Sequence, residues 1–365
     1  MRQKRVNKIL ILLFTIVIIT GLFFFLPLRC NNYAQCEKTW HKGCNGDWNC
    51  LDGECYYFCY DEIAQASNQT PSYPVREVIV EAAPEEVEPE PEPVDPGPAT
   101  DEIYSGDMQI HFIDVDHGSS VLIETPKNHS IIVDAGSKTK GKEVTKYIIQ
   151  DLNYNPRWFS PEVLITSVME ENHVAGMTNV LFNFQGIEKV FDSGRELPYS
   201  YYKAYKSQRD QLFTRKLSFD KEIDGIDNSI HIFAYVAFED AEEDKDENFY
   251  SVVLKLTYLN SSFLFASNCN AECEEIILEE GHDLSADILK ISTYGDESAT
   301  TDSFLEAVNP KVAVISVGTN DENLPHQSTI DKLEAKDITI LRTDENGHIV
   351  VTTDGNKYKI KTEKS

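Results

Sequence analysis

The alternation of apolar and polar positions from Met108 onward defines the main globular part of this chain. MQIHFIDV (108–115), SVLIETP (120–126) and SIIVDAG (130–136) are short β-type runs closed by turn residues. GKEVTKYIIQDL (141–152) has helical spacing, and Pro161 leads into a strand EVLIT (162–166). HVAGMTNVLFNF (173–184) reads as one helix and EKVFDS (188–193) as a strand, while the acidic tract 239–247 reads as a loop. A second half opens with YSVVLKLTYL and SSFLFAS (250–267), a hairpin turning around Asn260. AECEEIILEE, ADILKI, TDSFLEAV, KVAVISVG, STIDKLEAK, ITILRTD and HIVVTTDG then alternate helix and strand. Hairpins at the start of each half, followed by alternation, predict an α/β head with two sheets and helices outside, a four-layer αββα sandwich.

The pattern upstream is different. Ile9–Leu28 is an almost unbroken apolar run preceded by Arg2, Lys4, Arg5 and Lys8. About 20 apolar residues at about 1.5 Å each cross a hydrocarbon core of roughly 30 Å. The basic flank places residues 1–8 in the cytoplasm and everything after 28 outside. A cleaved signal peptide is the competing reading, but the run is long and no small-residue cleavage site follows it. Six of the eight cysteines then cluster: Cys30, Cys36, Cys44, Cys50, Cys55 and Cys59. An even, dense set beyond an anchor predicts a disulfide module over 29–62. Zinc is the alternative, though no C-x2-C pair occurs. Residues 63–105 contain the Pro/Glu-rich stretch 82–102, expected to be a semi-rigid stalk. The head is placed at 106–362, so the expected protein is a single-pass membrane protein with its head outside the cell.

Charge narrows the partners. The formal net charge is −28. Such a surface repels phosphate backbones and argues against broad nucleic-acid binding. Asn68, Asn128 and Asn260 each begin an N-x-[ST] sequon, a pattern too common by chance to add much.

Ordered blocks of the head carry a family resemblance. His111–Ser120 (HFIDVDHGSS), Ile132–Gly136 (IVDAG), Asp192–Gly194 (DSG), Leu254–Leu259 and Phe263–Asn268 follow one another. Ala286–Asp296 (ADILKISTYGD), Pro310–Gly318 (PKVAVISVG), Leu324–Leu333 and Arg342–Gly355 (RTDENGHIVVTTDG) continue the series. In this order they resemble the soluble metallo-β-lactamase-fold domain of the DNA-internalisation competence protein (ComEC-like), over about two thirds of the chain. The resemblance implies a metal-dependent hydrolase frame.

It also implies where metal ligands would stand, and there this chain departs. Within Val163–Met177, the superfamily pattern H-x-[HD]-x-D-H falls on Val168, Glu170, Asn172 and His173. Asn268 stands where an Asp would bridge two metals, Thr293 and Tyr294 replace a His pair, and Leu324 replaces a later His. Zinc needs three or four imidazole, thiolate or carboxylate ligands. Only Glu170, His173 and a nearby Asp134 offer a remnant. No bound cofactor is therefore expected; one zinc or manganese ion on that remnant is the alternative. The bland reading has His173 packing its helix start and Glu170 and Glu171 favouring a helix N-terminus. Cys269 and Cys273, four apart beside Asn268, are read as a local disulfide. The expected function is a non-catalytic binding module for an unknown extracellular protein or ligand. A hydrolase or nuclease acting on DNA remains the alternative that the resemblance implies.

Overall fold

The computed structural model describes residues 46–51, 54–59, 78–81 and 106–364, apart from 157–158, 218–219, 224–225 and 239–244. The apolar run Ile9–Leu28, Cys30, Cys36, Cys44 and the stretch 82–102 lie outside the described residues. Among the described residues no helix is long and apolar enough to cross a membrane.

The chain divides into two units, Met1–Thr70 and Pro71–Ser365. In the first, β1 (Gly46–Leu51) and β2 (Glu54–Cys59) form an antiparallel hairpin, with Cys50 opposite Cys55.

The second unit contains two large sheets. Its first strand, β3 (Val78–Glu81), falls inside the segment read as stalk; the three β-branched residues of the run VIVE carry an edge strand there. The elements β4 (Met108–Phe112), β5 (Val121–Glu124) and β6 (Ser130–Val133) follow as a meander. Next come α1 (Gly141–Lys146), β7 (Val163–Ile165), α2 (Glu171–Val174), α3 (Met177–Asn183), β8 (Lys189–Asp192), α4 (Ser200–Arg209) and β9 (Phe213–Lys216). The second half runs β10 (Lys221–Glu222), β11 (His231–Val236), β12 (Val252–Tyr258), β13 (Ser261–Phe265), α5 (Ala271–Glu279) and β14 (Ile288–Lys290). It ends with α6 (Asp302–Val308), β15 (Val312–Ile315), α7 (Gln327–Glu334), β16 (Thr339–Arg342), α8 (Thr343–Asn346), β17 (Ile349–Thr353) and β18 (Lys357–Thr362).

The first sheet has the order β3-β18-β17-β4-β5-β6-β7-β8-β9, the second β10-β11-β12-β13-β14-β15-β16. The last two strands therefore return to the first sheet and tie the two halves together. One buried cluster draws side chains from both sheets, among them Ile110, Phe112, Ile131, Leu254, Phe263 and Phe265. Leu122, Ile132 and Leu164 alternate with these along the first sheet and are equally buried, so its other face is covered too. A second cluster packs Leu264, Leu289 and Ala313 against Ile277, Phe304 and Leu333 of the helices. Helices thus cover the outer face of the second sheet, as the predicted layering requires.

Two predicted helices are interrupted. The run 141–152 is α-helical only to Lys146 and continues as a π-helical turn over Tyr147–Asp151. The run 173–184 breaks between α2 and α3 at Gly176. A Cβ at Gly176 would lie 1.8 Å from the Ala135 carbonyl oxygen, and its N–H donates to Gly136 O at 2.9 Å. Only glycine allows the backbone to rest directly on the loop after β6.

Candidate functional site

Strand ends deliver the candidate residues to one place. The loop after β6 carries Asp134, the loop after β7 carries Ser167 to Glu170, α2 carries His173, and the loop after β13 carries Ser267 and Asn268. Asp134 and Ser267 hold left-handed backbone angles, φ 58° and 55°, at these turns.

Their side chains form a closed buried network. His173 Nδ1 meets Asp134 Oδ2 at 2.7 Å, and its Nε2 meets Asn268 Oδ1 at 3.1 Å. Asn268 Nδ2 donates to Glu170 Oε2 at 2.7 Å. Asp134 also accepts from Ser167 N at 2.8 Å and from Ser167 Oγ at 2.6 Å. Ser167 Oγ in turn lies 2.7 Å from Ser267 Oγ. A carboxylate and an amide oxygen only accept, so with Asn268 in this orientation both ring nitrogens of His173 donate. Burial would raise the Asp134 carboxyl, but the His173 charge, its hydrogen bond and those of Ser167 hold it below the usual carboxylate range. Glu170 is pushed up, first by burial and then by Glu247 and Asp246 nearby.

The other aligned positions surround this network. Val168 is 1% exposed and offers no ligand atom. The Asn172 backbone carbonyl accepts from Ser119 N at 3.1 Å. Thr293 and Tyr294 are consecutive left-handed residues, φ 46° and 57°, beside Gly295. The Tyr294 ring lies 5.8 Å from that of His173 and 4.3 Å from that of His117. Among the described residues, Thr293 Oγ1, Tyr294 OH and His117 Nδ1 are buried without a partner of hydrogen-bond geometry. Asn268 and Asn172 are polar neighbours of the Tyr294 hydroxyl, which burial raises far above the usual phenol range. Leu324 belongs to the helix-side apolar cluster.

These residues do not fit a catalytic metal ion. Two positions are apolar, Thr293 and the two asparagines are neutral, and both His173 nitrogens are already engaged within the protein. Glu170, His173 and Asp134 do come together, but as a hydrogen-bonded chain, Asp134 to His173 to Asn268 to Glu170, rather than around an open centre.

Two residues of the site escaped sequence reasoning. Lys290, on β14, is buried, and desolvation lowers its ammonium to about 8 against the opposing pull of Asp134. A lysine inside the apolar run ADILKI was the signal. His117 sits in HFIDVDHGSS, a block read for its framework; burial lowers its imidazole.

Other residues of the aligned blocks have structural posts. Asp192 is buried and accepts from Tyr205 OH at 3.0 Å, Arg209 Nη1 at 2.7 Å and Gly194 N at 2.9 Å. His326 precedes α7, and its Nδ1 accepts from Glu297 N at 3.2 Å. A disulfide joins Cys269 and Cys273 with their Cα atoms 5.3 Å apart. Cys269 stands before Asn270, the N-cap of α5, so the bond spans the helix entry and not its interior.

Comparison with known proteins follows the same lines. No protein-family model matches the chain. It is 30% identical over 116 residues to ComE operon protein 3 of Bacillus subtilis, covering 32% of this chain and 15% of that protein. It is 24% identical over 249 residues to Recombination protein 2 of Haemophilus influenzae, covering 67% of this chain and 28% of that protein. The chain thus spans well under a third of the length of these curated relatives. Among solved structures, Zn(2+)-bound PqqB from Methylobacterium extorquens is similar at 11% identity and TM-score 0.39, covering 62% of this chain and 85% of that one. A metallo-β-lactamase from Cronobacter sakazakii is similar at 12% identity and TM-score 0.33, covering 49% and 76%. The head itself consists of two sheets of nine and seven strands, with helices packed on the outer face of the second. The similarity to ComE operon protein 3 and Recombination protein 2 bears out the ComEC-like resemblance.

Proposed function

We propose that this chain is a membrane-anchored, extracytoplasmic binding module of ComEC-like lineage whose metal-enzyme frame has become a non-catalytic, packed structure. The observation that carries the reading is the closure of His173, Asp134, Asn268 and Glu170 onto one another. Hydrolysis in such a frame needs a metal-bound water and an open coordination position. Here the imidazole that would ligate spends both nitrogens on protein acceptors, and two further positions are Val168 and Leu324. Anchoring through Ile9–Leu28 with the N-terminus cytoplasmic rests on the apolar run and its basic flank. The partner is an extracellular protein or ligand, bound by the anionic head.

A metal-dependent hydrolase or nuclease is the second reading. The competence-related relatives favour it, though fold alone does not carry activity. Metal content of the full chain after exposure to Zn²⁺ and Mn²⁺ tests the two. The expected result is no ion whose binding depends on Glu170 or His173. An ion lost in both Glu170→Ala and His173→Ala would sink the non-catalytic reading.

A further inference from the structure

Three potential metal-ligand side chains converge on elements that take no part in the buried network. Asp220 immediately precedes β10, Glu280 caps the C-terminal end of α5, and His282 follows on the way to β14. One ligand atom from each lies within 4.8 Å of the other two. We propose that Asp220, Glu280 and His282 form a divalent-cation site suited to zinc, independent of the lost metal frame.

The three ligand atoms are already gathered at distances that an ion can bridge. His282 Nε2 lies 2.6 Å from Asp220 Oδ2 and 3.5 Å from Glu280 Oε2. The nitrogen therefore lies within reach of both carboxylates. An ion with bonds of about 2.0–2.2 Å holds its ligands roughly 3.4 Å apart, which small side-chain adjustments reach from here. An imidazole with two carboxylates and no thiolate suits a borderline cation, with water completing the shell.

The ligands are also held from behind, as metal ligands usually are. Asp220 Oδ1 accepts from Val236 N at 2.7 Å, which turns Oδ2 toward the other two. The His282 ring packs against Tyr235 at 5.0 Å and Phe233 at 5.9 Å. Gly281, with φ +72°, makes the turn between the other two ligands, and a Cβ there would meet nothing within 4 Å, so solvent and ions reach it. The net charge of −28 raises the local concentration of cations. An exposed ion pair alone is worth about 0–1 kcal/mol and gives no reason for a third ligand to join. With an ion bound, the approach to β10 is clipped to the far end of α5, whose near end carries the Cys269–Cys273 disulfide. Closing so long a loop stabilises the folded state.

Zinc chloride titrated into the EDTA-stripped, detergent-purified full chain tests this directly. One ion is expected per chain, with binding at least tenfold weaker in His282→Ala and in Glu280→Gln and unchanged in His173→Ala. Saturating zinc, about a hundredfold above Kd, should raise the melting temperature by about 5 °C or more, and His282→Ala should lose the rise. Cobalt should give a visible band without the sulfur-to-metal absorption that cysteine ligands would add. Absence of any bound ion would overturn this inference and leave the proposed function standing. An ion lost in His173→Ala but kept in His282→Ala would overturn both. An ion kept in all three variants, or one showing sulfur ligation, would place the metal elsewhere and overturn this inference alone.

Discussion

His173 donates from Nδ1 to Oδ2 of Asp134 across 2.7 Å, and neither side chain reaches solvent. A buried pair of this kind is costly to break because the survivor is left charged and dry, typically by about 3–5 kcal/mol. Asp134→Ala should lower the unfolding free energy by roughly that amount. Asp134→Asn, which keeps an oxygen for Ser167, should cost less. Urea titration measures both. A loss below about 1 kcal/mol in Asp134→Ala would mean that the pair does not hold the site together.

The same pair gives a pH dependence of known sign. Asp134 is held below its unfolded value, so its contribution is fully present above about pH 4 and is lost as pH falls through the lower folded value. Acid titration of stability should therefore be flatter in Asp134→Asn than in the parent. Equal slopes below pH 4 would contradict the assignment.

Lys290 adds a second pH effect at the other end of the scale. Its folded value of about 8 lies below the unfolded 10.5, so the unfolded chain binds more protons between these limits. Stability should rise as pH climbs from 8 to 10.5, by at most roughly 3 kcal/mol. Lys290→Met should abolish that rise and be the more stable protein at pH 7. Urea midpoints at pH 7, 8, 9 and 10 decide it; an unchanged rise in the variant would assign the effect to other groups.

What the sequence revealed and what it hid divide along physical lines. Strands such as SIIV and VAVI announce themselves because burial on both faces demands unbroken apolar runs. Strands β9 and β10 were not read, because FTRK and KE are largely exposed, charged edge segments with no apolar period; β11, the interior strand HIFAYV, was missed although its apolar residues are legible. The helix break at Gly176 depends on a contact with Ala135, far away in sequence, which no local spacing reports. In the site, the absence of ligands at Val168, Thr293 and Leu324 could be read position by position. The closure could not, since Asn268 reaches Glu170 across 98 sequence positions and His173 across 95. Lys290 and His117 acquire their meaning only when strand packing brings them beside Asp134 and Tyr294.

The cysteine cluster makes a prediction that rests on the proposed anchoring through Ile9–Leu28. On that reading Cys30, Cys36, Cys44, Cys50, Cys55 and Cys59 lie outside the cell and should be oxidised in the mature protein, since thiols there are not kept reduced. Mass spectrometry of alkylated, unreduced protein should find no free thiol among them. Ready alkylation of several, together with bound zinc, would favour the metal alternative for this module.

Restoring the lost ligands is the sharpest test of the frame. Val168→His, Asn172→Asp, Asn268→Asp, Thr293→His and Leu324→His together should create metal affinity around His173. The argument is positional: Asn268 already touches His173 and Glu170, and Thr293 N donates to Ser267 O at 3.2 Å in the neighbouring loop. Five polar groups placed in a packed, partly apolar region would destabilise the metal-free variant, because buried groups without partners are expensive. Metal should then recover the loss by binding only the folded state. Melting with and without Zn²⁺ or Mn²⁺, in a His282→Ala background that silences the Asp220 cluster, should show a metal-dependent rise absent from the otherwise native chain. A folded variant indifferent to metal would mean that these loops do not present the positions where a metal frame would hold its ligands.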